Sequence, residues 1–497
     1  MTALTRGLLT GVAIAALAFP ALARDLTIDL TGEPSSLDPH MQWNPDSYYV
    51  YRNIFDNVVT RDNNGEIVPQ IATSWEYVGD SELILTIRDD VTFHDGEALT
   101  PEDVAYSVNR IIDPEFGSPQ LGQFNQIERA EVMDGNKVKL TTKGPYPALL
   151  AQLVKLSVVP EHVVEEVGKD AFNMSPVGSG PYAFEDWNRG VSVTLARNEG
   201  YWGDAGPFDN AIFRAVPDAA TRIANLSAGT ADLVVGLDSD GAMQLAGNDA
   251  VKTLSAPTER VAFMGMNLDK PPFNDPELRR AASLAIDSVA IAEGLLGAGE
   301  VPVAQLSSPA HFGYAEGIAA FEYDPEEAAK IVSGKADVAA MPAVFATAPV
   351  FDQRVVQALQ QMLNDVGFNV SISMTDMPTY LAAARGEDRA ARPDLNFGRW
   401  SCACQDADGI AYPLLHSASS WSRVNNPELD ALLETARSSL DEATRQEAYT
   451  KVHQIVRDNY LIRPIYQAAV LYGAAAALDF TPTANESMFL NRMSWSE

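Results

Sequence analysis

Cysteine is almost missing from this chain. Its 497 residues hold two, Cys402 and Cys404, one residue apart in "GRWSCACQDADG". Two thiolates alone do not fill a zinc or copper site, which needs three or four ligands, so His416 would have to join them. Histidine is scarce as well. The six are scattered, and none forms an H-x-x-x-H pair. Positive charge is also short: 35 Lys and Arg against 67 Asp and Glu leave a formal net charge of −32. Such a chain repels nucleic acid and anionic lipid, which makes both poor partners. The excess of acid reads as a solubility device and is silent about fold. Internal repeats and low-complexity linkers are absent. Beyond the first residues, no run is long and apolar enough to span a bilayer, which takes about 20 residues.

The opening "MTALTRGLLTGVAIAALAFPALA" carries one cation, Arg6, and an apolar run from Gly7 to Phe19. It closes on Ala21-Leu22-Ala23, small where a signal peptidase reads. Residues 1–23 are therefore expected to be a signal peptide cut after Ala23, giving an exported, periplasmic protein. No cysteine follows the cut, so a lipid anchor is not expected. The remaining length exceeds one core and predicts two or three lobes.

Helix and strand signals alternate. Four helix starts share one design: Thr100-Pro101, Asp275-Pro276, Asp324-Pro325 and Asn426-Pro427, each followed by acids. The cap side chain satisfies a free amide, proline loses no bond there, and the acids meet the helix dipole. Alternation marks strands in "ELILTIRDDVTF", "KVKLTTK" and "VSVTLARN". The class is mixed α/β.

Four long stretches carry a family likeness. "IATSWEYVGDSELILTIRDDVTFHDGEALTPEDVAYSVNRI" (71–111) resembles the signature of family 5 extracellular solute-binding proteins, the peptide-, opine- and nickel-binding subunits of ABC importers. "PVGSGPYAFEDWNRGVSVTLARNEGYWG" (176–203), "MNLDKPPFNDPELRRAASLAID" (266–287) and "NNPELDALLETARSSLDEATRQEAYTKVHQIVRDNYLIRPIY" (425–466) resemble its later motifs, in the family's order. The resemblance implies an α/β bilobal periplasmic binding protein (type II, cluster C-like). Lobe 1 would comprise 24–46, 172–262 and 472–497, with an extra subdomain, 47–171, inserted in it. Lobe 2 would be 263–471, with a two-strand hinge near 262 and 471. It implies no chemistry and no cofactor or metal. The expected partners are a small-molecule or short-peptide ligand and the permease subunits of the importer, for a protein that acts as a monomer. Trp75, Trp187, Tyr201 and Trp202 read as packing, and His94 of "HDGE" as a local hydrogen bond rather than half of a metal pair.

In the family, the segment around 397–410 reaches into the cleft. Peptide-binding members carry an aspartate three residues after the tryptophan that matches Trp400, and it pairs with the peptide's amino group. Here that position is Ala403. Either Asp406 or Asp408 replaces it, or the ligand presents no ammonium there, since an unpaired buried charge is costly. Trp400, Trp43 and Trp421 are candidates for ligand contact, with Asn44 as a donor and acceptor and Arg399 for an anionic group. Four readings of the cysteines stay open: metal ligands, a nucleophile, a tight disulfide favoured by the compartment, or buried thiols. The expected ligand is a peptide or peptide-like solute, with an opine, sugar conjugate or oligosaccharide second and a nickel chelate third. A secreted hydrolase using Asp406 and Asp408 is the distant rival. Its pair would have to flank the scissile bond roughly 5–9 Å apart.

Overall fold

The computed structural model describes residues 24–496. The signal-peptide reading of 1–23 lies outside the described residues. All four proline-led helices form, at Pro101–Ile112, Pro276–Leu284, Pro325–Gly334 and Pro427–Ser438. The caps work as their chemistry requires. Asp275 accepts from the Glu277 amide, Asp324 from that of Glu327 and Asn426 from that of Glu428, each at 2.9 Å.

One eleven-stranded sheet runs through the molecule. Its centre is a pair of long antiparallel strands, Val251–Met266 and Ile462–Ala475, in register from Val251 opposite Ala475 to Gly265 opposite Ile462. On one side lie Leu395–Trp400, Pro342–Thr347 and Asn369–Met374. On the other lie Leu233–Leu237, Leu26–Leu30, Asn210–Ala215, Ser192–Arg197 and Tyr182–Asn188. The register breaks between Pro257 and Val261 and again after Ala262. Such breaks bend a strand and sharpen its twist. The long pair therefore crosses from one half to the other here, pinned by Thr258 Oγ1 to Ala468 O at 2.8 Å and Gln467 Nε2 to Thr258 O at 2.6 Å.

The cores follow this layout. One gathers Leu26–Phe55, much of 159–235 and Tyr472–Met493; another holds Ala262–Phe397 with Ile465 and Ala468. A third, from Val58 to Val158, surrounds the four-stranded antiparallel sheet Ala72–Val78, Glu82–Ile87, Lys137–Thr142, Ile127–Met133. A fourth gathers residues of Cys402–Ile462 with Ala151, Phe263 and Leu306. Buried residues from both ends of 47–171, such as Tyr51 and Val164, cluster with the first of these cores rather than the third. Helix Pro45–Ile54 and Phe172 pack with the first lobe because Tyr48, Tyr49, Ile54 and Phe55 face its core.

The motif aromatics are bound into this framework. Buried Asp56 accepts from Tyr201 OH and Trp202 Nε1 at 3.0 Å each, and from Ser179 and Gln70. Burial raises its pKa, and these four donors oppose the rise. Trp187 Nε1 donates to Glu33 at 3.0 Å, and Trp75 packs against the insert's core. His94 accepts the Gly178 amide at Nδ1 and donates from Nε2 to Gly180 O at 3.0 Å, a neutral ring strapping two loops. Among the described residues no group of three His, Cys, Asp or Glu is arranged to hold a metal ion. No described helix is long and apolar enough to cross a membrane.

Candidate ligand cleft

Strand Leu395–Trp400 pairs with the hinge strand, setting Ala262 opposite Arg399 and Val261 opposite Trp400. This register brings a loop from far along the chain to the hinge. A cavity of about 260 Å³ opens there. Its walls are apolar, with Phe263, Met377, Leu381, Leu414, Trp400 and Trp421 among them. Whole-ligand pockets run from about 300 to 1,000 Å³, so this one suits one group of a larger solute. Trp400 and Trp421 meet edge to face, ring centres 5.0 Å apart. Gly398 makes room for the Phe263 ring, which a Cβ there would strike.

The cysteine loop fixes Trp400. Cys402 and Cys404 are joined as a disulfide, Cα atoms 5.0 Å apart, which removes the thiolates that a metal or nucleophile would need. Gly409 lies against this bridge, where any Cβ would collide with Cys402 Sγ. The Gly409 carbonyl then accepts Trp400 Nε1 at 2.9 Å. Ala403 sits on the turn and is not part of the cavity lining. Across the groove, Arg61 of the inserted subdomain donates to Cys404 O at 2.5 Å. A wider polar groove, about 740 Å³, lies between that subdomain and the second lobe.

Three expectations need correction here. Asp406 and Asp408 are not free to receive a ligand. Arg445 Nη2 bonds both Asp406 oxygens at 2.8 and 2.9 Å, and both side chains are 4% exposed. Arg437 holds Asp408 at 3.0 and 3.2 Å. Burial raises the Asp408 pKa, with the Arg437 charge opposing it. Each carboxylate neutralises an arginine from a later helix, so neither is the unpaired acid expected in place of the aspartate absent at 403, although Asp406 with Arg445 lines the wider groove; the hydrolase pair has no free acid. Asn44 is likewise engaged: its Oδ1 caps helix Pro45–Ile54 through the Ser47 amide at 2.9 Å, and its Nδ2 reaches Ser35 at 2.9 Å. Trp43 stacks obliquely on Tyr48, centres 5.2 Å apart, away from the Trp400 cavity. His416 stacks on Tyr412 and pairs with Glu434.

The other half of the wall carries no signal in the sequence. Arg260, Phe263, Met377 and Arg423 line the same cavity. Arg260 is tied to Glu486 at 2.6 Å. Beside it, Glu259 is buried, its Oε2 without a partner among the described residues, and burial pushes its pKa up to about 7. Buried Lys155 donates to Gln123 and lies 5.7 Å from the Trp43 ring, and burial brings its pKa down to about 7. No local motif marks these residues.

The model of the bacterial extracellular solute-binding proteins, family 5, matches residues 66–422. The chain belongs to that family. A curated relative, the glutathione-binding protein GsiB of Salmonella paratyphi A, is 25% identical over 465 residues, covering 90% of each chain. Among solved structures, HbpA2 from Haemophilus parasuis superposes with TM-score 0.86 at 20% identity, over 95% of this chain and all of that one. DppA from Helicobacter pylori, in complex with the peptide STSA, gives 0.78 at 22% identity, over 95% and 98%. The bilobal fold of this family 5 member is shared with both.

Proposed function

We propose that this family 5 protein is the periplasmic solute-binding subunit of an ABC importer. It captures a peptide or peptide-like solute between its lobes and hands it to the membrane permease. The observations that support this are the cavity at the hinge, lined by the second lobe and by Arg260 of the crossing strand, and the wider groove between the inserted subdomain and the second lobe. A solute touching both halves favours the closed arrangement by its difference in affinity for the two states. The relatives support the solute class: one binds glutathione, and one is seen with the peptide STSA. In this reading the leader is removed after Ala23 and the mature chain works as a monomer.

Native mass spectrometry of protein purified from its own periplasm tests the proposal. The expected result is a chain beginning at Arg24, two hydrogens lighter than the reduced form, with one small solute per chain. A chain that carries no solute, and that stays open with every peptide offered, would contradict it.

A further inference from the structure

The cavity at the hinge is charged with one sign. Three arginines line it, Arg260, Arg399 and Arg423, and no aspartate, glutamate, lysine or histidine does. In a chain of net charge −32 this is a local inversion. Arg260 is balanced by Glu486 at 2.6 Å. Arg423 is buried, donates to Pro393 O at 2.8 Å, and its Nη2 has no partner among the described residues. Arg399 is exposed to the cleft, and among the described residues no carboxylate pairs with it. Glu486, whose charge reaches it, is already committed to Arg260. Arg399 lines the cavity, and there partial enclosure and then the charge of Arg260 pull its pKa down. Asp406 and Asp408, further along the same loop, lie outside the cavity lining and are paired with Arg445 and Arg437.

Resting on the importer reading, we infer that the solute is an amphipathic acid. Its carboxylate is gripped by Arg399, its apolar group enters the cavity between Trp400, Trp421 and Phe263, and a free ammonium has no place at this end. A planar carboxylate matches the guanidinium fork with two parallel hydrogen bonds. The cleft therefore selects the opposite charge to a site built around an aspartate at 403.

Calorimetry with the full chain and three ligands of one body tests this. Acetyl-Leu-Phe presents only the acid, Leu-Phe-amide only the amine, and acetyl-Leu-Phe-amide neither. The acid should bind at least about tenfold tighter than the neutral compound, and the amine weakest. Arg399→Gln, at an exposed position that leaves the melting temperature unchanged, should cost the acid about tenfold and leave the neutral compound within about twofold. An amine that binds as tightly as the acid, or an acid indifferent to Arg399→Gln, would overturn the inference while leaving the importer role intact. If none of the three binds at roughly 1 mM, the inference is overturned as well. The importer role is then judged separately, by whether a solute co-purifies.

Discussion

At the scale of single residues, the second lobe spends its buried charge on itself. Asp406 and Arg445 are each 4% exposed, and removing one partner strands the other. Asp406→Asn should therefore lower unfolding stability by about 3–5 kcal/mol, read from urea denaturation. Any loss of ligand binding should follow the loss of fold. If Asp406 contacted ligand instead, affinity would collapse with the melt unchanged. Lys155 gives a pH test. Burial has lowered its pKa to about 7, so the folded chain releases a proton that the unfolded chain keeps until about pH 10.5. The cost of burying the charge is full below pH 7 and is relieved as pH rises from 7 to about 10.5. Raising the pH from 7 to about 9 should add on the order of 1–3 kcal/mol from this group. In Lys155→Met that increment should disappear, and an identical pH slope in both proteins would refute the assignment.

At the scale of elements, the loop after strand Leu395–Trp400 works as a bracket. The disulfide, Gly409 and Trp400 Nε1 form one chain of contacts. Gly409→Ala forces a methyl against Cys402 Sγ and should destabilise by about 1–3 kcal/mol, with quenching of Trp400 by ligand reduced. The four proline-led helices are legible in the sequence because a cap, a proline and its acids act within one turn. Asn44-Pro45 carries the same signature, and as a cap Asn44 leaves the ligand candidates. What the sequence hides is set by long-range register. Arg260 and Phe263 reach Trp400 only because Val261 pairs with it across the sheet. Arg437 and Arg445 claim the two aspartates from helices 29 and 39 residues downstream, a distance no local pattern encodes.

At the scale of the molecule, two long strands join two halves, and the cavity lies against the crossing. Register breaks at Pro257–Val261 and after Ala262 put the irregular points of the strand pair beside the ligand wall rather than far from it. Hinges of this kind absorb backbone change over a few residues while the lobes move as bodies. Ligand and closure are thus linked through Arg260 and Phe263, which belong to the crossing strand and to the cavity at once. Small-angle scattering of the purified chain, with and without the solute it releases on denaturation, tests this most directly. A smaller radius of gyration on saturation, absent in Trp400→Ala, is the predicted result. An unchanged radius with the solute fully bound would contradict the account.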